Sequence, residues 1–286
     1  MTRRPSRAAH RELHAYETRR RLRDLCGREH VLLAGRGTTA LWALLTALEL
    51  RGRSVWLPAN TCYTVLWALL LADCRPLLVD IDPATGNLAA GTLDAALSFS
   101  GEPPAAVIPC HLYGFSAPIG AITAWARAHG ACVIEDAALA AGAVADERPA
   151  GAWGDAAIFS FGAGKIIDGG NGGALVTNDA ALAQAAAALL DSLPLWDAAR
   201  AALERQWLDL YWALHQHDGD QPALAALYRP LFALYADALL RYRLPPEAWR
   251  AVAAALADLP DQQTRRAERA ETFDAAFAAS GLTPIV

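Results

Sequence analysis

Phe-Ser-Phe-Gly-Ala-Gly-Lys-Ile-Ile-Asp-Gly-Gly-Asn-Gly-Gly, residues 159–173, contains Lys165, the only lysine of the 286-residue chain; every other member of its 25 Lys and Arg residues is arginine. A lysine amine can lose its proton and condense with a carbonyl, whereas guanidinium stays charged and is a poor nucleophile. Two readings follow: a stray surface lysine, or an amine kept because arginine cannot replace it. The neighbours favour the second. Asp155 to Phe161 reads as a short apolar strand, and the glycines on both sides of Lys165 form a tight loop where backbone can approach a ligand.

Working outward, short apolar runs alternate with longer helical patterns. Strands are expected at 31–34, 54–57, 75–79, 105–109, 132–135 and 155–161, with a return strand over 172–177. Helical patterns cover 41–50, the stretch after Asn60-Thr61, 92–99 and 118–129. This alternation predicts an α/β fold whose largely parallel sheet lies between helices and binds ligands beyond the carboxyl ends of its strands. Residues 1–30 form an N-terminal helical segment, 31–180 the α/β domain and 181–286 a helical extension. The extension is expected to break near His217–Gln221 and Pro245-Pro246, with its aromatic residues serving mainly as packing. Leu282 to Val286 begins to look like a strand.

Composition narrows the classes. Hydrophobic residues make up 54% and net charge is −5, which describes a globular protein and argues against a nucleic-acid partner. The arginine-rich N-terminus carries interspersed acids and leucines at roughly helical spacing, so it reads as a solvated or partner-packing helix. No apolar run reaches a membrane-spanning length, and the first residues lack a signal-peptide core. Five scattered cysteines without a CxxC pair read as reduced thiols and fit a cytoplasmic setting; no metal site is expected.

Three cofactor readings compete. A P-loop ending at Gly164-Lys165 fails, because Phe159 stands where glycine is needed and Ile166 where Ser or Thr is needed. Gly35, Gly37 and Ala40 satisfy a loose dinucleotide fingerprint, but Val55-Trp-Leu-Pro-Ala-Asn60 lacks its acid, leaving an NAD(P)-binding oxidoreductase as an alternative. Pyridoxal 5'-phosphate uses all the pieces. It needs a lysine for the Schiff base, a carboxylate for the pyridine nitrogen and donors for the phosphate. Lys165 supplies the first. Asp136, at a strand end, can supply the second, though a strand-end acid can equally be a cap or an ion-pair member. Gly37, Thr38, Thr39 and Ser160 offer donors for the third, while Gly35 to Ala40 also fits an ordinary glycine turn with a threonine cap.

Seven ordered segments then carry a resemblance: Gly-Thr-Thr-Ala-Leu (37–41), Pro-Ala-Asn-Thr-Cys (58–62), Arg-Pro-Leu-Leu-Val-Asp-Ile-Asp (75–82), Pro-Cys-His-Leu-Tyr-Gly (109–114), Val-Ile-Glu-Asp-Ala-Ala (133–138), Gly-Asp-Ala-Ala-Ile-Phe-Ser-Phe (154–161) and Gly-Gly-Ala-Leu-Val-Thr-Asn (172–178). Together they resemble the DegT/DnrJ/StrS aminotransferases, fold-type I pyridoxal phosphate enzymes, many of which aminate keto-sugar nucleotides. The resemblance implies that Lys165 is the Schiff-base lysine, Asp136 the partner of the ring nitrogen, and Ser160, Gly37 and Thr38 phosphate ligands. It also implies an amino-acid donor such as glutamate, a keto-sugar acceptor and a homodimer with its site at the interface. Lysine in this place favours amino transfer, because dehydratases of the family carry histidine there.

The chain departs from that pattern in several places. Leu139 and Ala141 stand where the family has a polar residue and a histidine. Cys62 holds the position of the ring-stacking aromatic, with Tyr63 beside it as a substitute. Arg241 replaces the asparagine that a neighbouring subunit offers to the phosphate. The family's small C-terminal domain is expected to be truncated or absent. A degenerate, non-catalytic relative with a structural or binding role is the second alternative.

Overall fold

A computed structural model of the chain describes residues 7–216 and 221–281. Its first half contains α1 (Arg7–Cys26), β1 (His30–Ala34), α2 (Gly37–Ala47), β2 (Ser54–Pro58), α3 (Tyr63–Leu71), β3 (Arg75–Val79), α4 (Ala90–Ser100), β4 (Ala106–Val107), α5 (Ile119–Ala128) and β5 (Cys132–Asp136). A small pair follows, β6 (Val144–Ala145) and β7 (Arg148–Pro149), then β8 (Ala156–Ser160), β9 (Gly173–Thr177) and α6 (Ala180–Asp191). The remainder is helical: α7 (Ala198–His215), α8 (Gln221–Leu234), a π-helical turn (Tyr235–Leu239), a 3-10 turn (Pro246–Ala248), α9 (Trp249–Ala257) and α10 (Leu259–Ala279). The break expected near Pro245-Pro246 is present. Most of the other one, and the strand-like 282–286, lie outside the described residues.

Seven strands form one sheet in the order β1-β9-β8-β5-β4-β2-β3. Neighbours from β8 to β3 are parallel, whereas β9 runs antiparallel to both β8 and β1. The loop 161–172 returns the chain directly beside β8, and that connection needs no crossover helix. Ile134, Ile158 and Leu175 enter the core shared with α2, α3 and α6, while Ala157, Phe159, Ala174 and Val176 enter the core under α1 and α9. Such two-faced burial explains the near-continuous apolar reading of these strands. The first of these cores continues into Trp207, Leu231 and Tyr235, so the helical extension closes over the sheet. Among the described residues β1 is an edge strand, antiparallel to its one strand neighbour. The dinucleotide reading requires its glycine turn at a switch point among parallel strands, and that surrounding is missing here.

The strand end that matters most is braced by Glu135, which is fully buried. Its Oε1 accepts from the backbone N–H groups of Trp153 and Gly154 at 2.7 Å each, and its Oε2 from Gly151 at 2.9 Å and from His111 Nε2 at 3.0 Å. The N–H of Ala117 donates to His111 Nδ1, so the Nε2 proton is the one that Glu135 accepts. Arg28 completes the clamp by donating to the carbonyls of Gly151 and Gly154, with NH2 3.8 Å from Glu135. Burial opposes the charge, but the His111 bond and the backbone donors outweigh it and hold the Glu135 carboxyl below its ordinary range. The loop so clamped feeds directly into β8.

Replacing Glu135 by Gln sets an amide donor against donors and strips Arg28 of its counter-charge. A loss of about 3–5 kcal/mol is expected in urea unfolding. Because the folded carboxyl titrates low, its stabilisation is complete above the ordinary value of 4.5 and disappears as pH falls through the folded value. The wild-type minus Glu135→Gln difference should therefore shrink only at the acid end of a pH series.

Candidate active site

The carboxyl ends of β5 and β8 and the amino end of α2 open onto one cleft of about 440 Å³. Asp136 pairs in register with Ile158, so Ser160 stands two residues further along the neighbouring strand. Gly173 sits opposite Ser160 in the ladder. A Cβ on Gly173 would lie 2.3 Å from the nitrogen of Gly37, and a Cβ on Gly37 would lie 2.9 Å from that of Ser160. These two glycines let three backbone segments converge where the helix leaves unpaired N–H groups.

Lys165 projects from the loop after β8. That loop is organised by Asp168, whose two oxygens accept from the N–H groups of Gly164 (2.8 Å) and Gly170 (2.9 Å). Backbone bonds Phe161 N–H to Gly172 O and Gly169 N–H to Phe161 O close its base, each at 2.9 Å. Asn171 Oδ1 accepts from Tyr242 Oη at 2.7 Å, which ties the loop to the helical extension.

Lys165, Asp136, Gly37, Thr38, Ser160 and Cys62 all line the cleft, as the sequence placed them. Asp136 is buried and accepts one backbone bond, from Ala138 N–H at 3.0 Å. Burial pushes its carboxyl above the usual range, partly offset by that bond and by the Lys165 charge. Two expected residues lie elsewhere. Thr39 is fully buried: its hydroxyl accepts from Arg36 N–H and donates to the Leu240 carbonyl, so it serves the start of α2 and not the cleft. Tyr63 turns into an aromatic cluster, with its ring 4.7 Å from Trp67 and 6.3 Å from Tyr211, and does not substitute for Cys62. Arg241, expected to serve a neighbouring subunit, is exposed over the Trp42 ring, outside this cleft.

Other lining residues were not foreseen. Arg36 borders the cleft and is ion-paired with Glu204 of α7. Trp207 and Leu208 follow on the same face of that helix, and Tyr235 Oη lies 2.5 Å from Thr38 Oγ1. Their sequence surroundings are Ala- and Leu-rich helix with no local mark of which face meets the sheet. Asp168 had a visible signal, an acid inside a glycine-rich loop, which is a common Asx-turn arrangement. Leu139 and Ala141 line a different cavity of about 450 Å³, against Gln263, Arg266 and Ala267 of α10.

A lysine, a buried carboxylate and a helix N-terminus converging beyond the strand ends of a mostly parallel sheet define the large domain of a fold-type I pyridoxal phosphate enzyme. The chain belongs to the DegT/DnrJ/EryC1/StrS aminotransferase family, whose model matches residues 11–193. It is 40% identical over 161 residues to GDP-perosamine synthase of Caulobacter vibrioides, covering 56% of this chain and 43% of that protein. It is 37% identical over 161 residues to L-glutamine:scyllo-inosose aminotransferase of Streptomyces griseus, covering 56% and 37%. The crystal structure of a DegT/DnrJ/EryC1/StrS aminotransferase from Brucella abortus superposes with a TM-score of 0.71 at 26% identity, over 93% of this chain and 64% of that one. The chain thus spans less than half the length of the two curated relatives.

Two outcomes are expected for the cleft. Gly37→Ala forces α2 away from β8 and should cost about 1–3 kcal/mol in urea unfolding. Asp136→Asn should stabilise the cofactor-free protein at neutral pH by roughly 0.5–2 kcal/mol. A raised folded value means that Asp136 favours the folded state fully below 3.8 and loses that contribution as pH rises through the folded value, so the gain should vanish in acid.

Proposed function

We propose that this chain holds the cofactor half of a pyridoxal phosphate-dependent aminotransferase that moves an amino group from an amino acid such as glutamate to a keto-sugar, with sugar nucleotides as the acceptor class. The observation that carries this reading is the placement of the chain's one lysine in the same cleft as Asp136 and the start of α2. In this reading residues 31–180 form the cofactor domain and 181–286 a helical extension that walls the cleft. The acceptor class is supported by the likeness to GDP-perosamine synthase.

The donor set suits the cofactor. Arg36 Nε is sealed from solvent without a hydrogen-bond partner among the described residues, which leaves a cationic donor in reserve beside the N–H groups that open α2. Gly37, Thr38 and Ser160 would hold the phosphate, assisted by the helix dipole. Cys62 borders the space for the ring. When bound, pyridoxal phosphate supplies an aldehyde for condensation with amines and a ring that accepts electron density. Asp136 would serve the ring nitrogen, its carboxylate favouring a proton there. Its raised affinity for protons and the nearby Lys165 charge act in opposite directions on that duty.

Lys165 Nζ has two tasks. Its amine would be the anchor for the cofactor's aldehyde and, when freed by the amino donor, the base that holds and moves the proton of the donor's alpha carbon. With the keto acceptor the same amine would return the proton. Trp207, Leu208 and Val65 face the cleft and exclude water from that proton. The family resemblance supports a homodimer as the working unit, in which Arg241, exposed and outside its own chain's cleft, would serve the phosphate of a second copy.

Adding pyridoxal phosphate should give a coloured protein with a borohydride-fixed adduct at Lys165. Glutamate should convert the bound cofactor to the pyridoxamine form in a single turnover. Lys165→Arg should abolish both signals without lowering the unfolding midpoint. A wild-type protein that stays colourless, with no adduct found by peptide mass analysis, rejects the reading.

A further inference from the structure

The phosphate end of the cleft is held by an acid of the chain itself. Arg36 stands immediately before α2, and its NH2 donates to Oε1 of Glu204. Glu204, Trp207 and Leu208 lie three and four residues apart on α7 and all line the cleft, so the carboxylate belongs to the wall. A carboxylate gripped by guanidinium at the mouth of a helix occupies the electrostatic place of a phosphate. The grip leaves a donor unused: among the described residues Arg36 Nε is buried without a partner, and a guanidinium offers five N–H groups in a fork suited to two anion oxygens. Glu204 keeps 31% of its side-chain exposure, so it can swing out to water. The adjoining donor is engaged in the same manner, with Thr38 Oγ1 meeting Tyr235 Oη.

We propose that Glu204 is a built-in stand-in for the cofactor's phosphate, holding Arg36 in the cleft until a phosphate monoester takes the guanidinium over and displaces the carboxylate. This rests on the cofactor reading above and adds a ligand and its competitor from one chain. Arg36 is the charged phosphate ligand. Glu204 sets a threshold on loading: it keeps the cradle assembled when empty, and its negative charge opposes every anion that enters. The two residues therefore act on affinity with opposite sign, which a purely structural ion pair would not do, since losing either partner of such a pair harms the site alike.

The test compares wild type, Arg36→Gln and Glu204→Gln against three probes: pyridoxal phosphate, pyridoxal without phosphate, and inorganic phosphate. Adduct absorbance reads the two aldehydes and calorimetry reads phosphate. Arg36→Gln should weaken pyridoxal phosphate and inorganic phosphate by about 10- to 100-fold, while pyridoxal stays within roughly threefold of wild type. Glu204→Gln should tighten both phosphate-bearing probes by about tenfold and leave pyridoxal unchanged. Weaker or unaltered phosphate binding in Glu204→Gln overturns the stand-in role. Equal losses for pyridoxal and pyridoxal phosphate in Arg36→Gln overturn the ligand role. If neither aldehyde reacts with Lys165 but phosphate still binds with these opposite shifts, the cofactor reading falls and the anion exchange stands.

Discussion

Two neighbouring carboxylates at the end of β5, Glu135 and Asp136, set the terms on which the rest of the site is built. Strand geometry sends them to opposite faces of the sheet. Glu135 meets three backbone donors, His111 and Arg28, and its charge is stabilised despite complete burial. Asp136 receives one backbone donor, a weak Cys110 thiol donor and the Lys165 charge, and burial prevails. One chain position apart, the same chemical group becomes a structural anion on one face and a proton-seeking group on the other. The second depends on the first, because the 151–154 loop that Glu135 fastens delivers β8, and β8 carries Ser160 and the Lys165 loop.

The cleft also depends on close approach of backbone. Where Gly37, Ser160 and Gly173 meet, no side chain fits between the segments. The helical extension then supplies what the sheet cannot: an acidic and aromatic wall from α7, and Tyr235 from the π-helical turn that follows α8. A π-helical turn interrupts regular helix geometry and redirects side chains, and such turns recur at functional sites. Here it accompanies a buried tyrosine that reaches the first turn of α2.

Much of this was legible in the residues. Apolar runs bounded by turns located the main strands because strands buried on both faces cannot hide their composition. Lys165 declared itself by scarcity, and Asp136 by following an apolar strand. Thr39 misled because a hydroxyl at a helix start can face a ligand or its own cap, and the carbonyl of Leu240, 201 residues away, decides between them. Tyr63 misled for a related reason: an aromatic beside a cleft residue was drawn to Trp67 and Tyr211, the latter contributed by a distant helix. Arg36 and Glu204 carried no local signal, since their meaning exists only as a pair separated by 168 positions. The antiparallel course of β9 was equally silent, because an apolar strand reads the same in either direction.

Asp168 gives the lysine loop a crossbar. By gripping Gly164 on one side and Gly170 on the other, it fixes the anchorage of Lys165 with bonds that involve no visiting molecule. The side chain of Lys165 thus leaves from backbone whose ordering is already met by bonds within the chain.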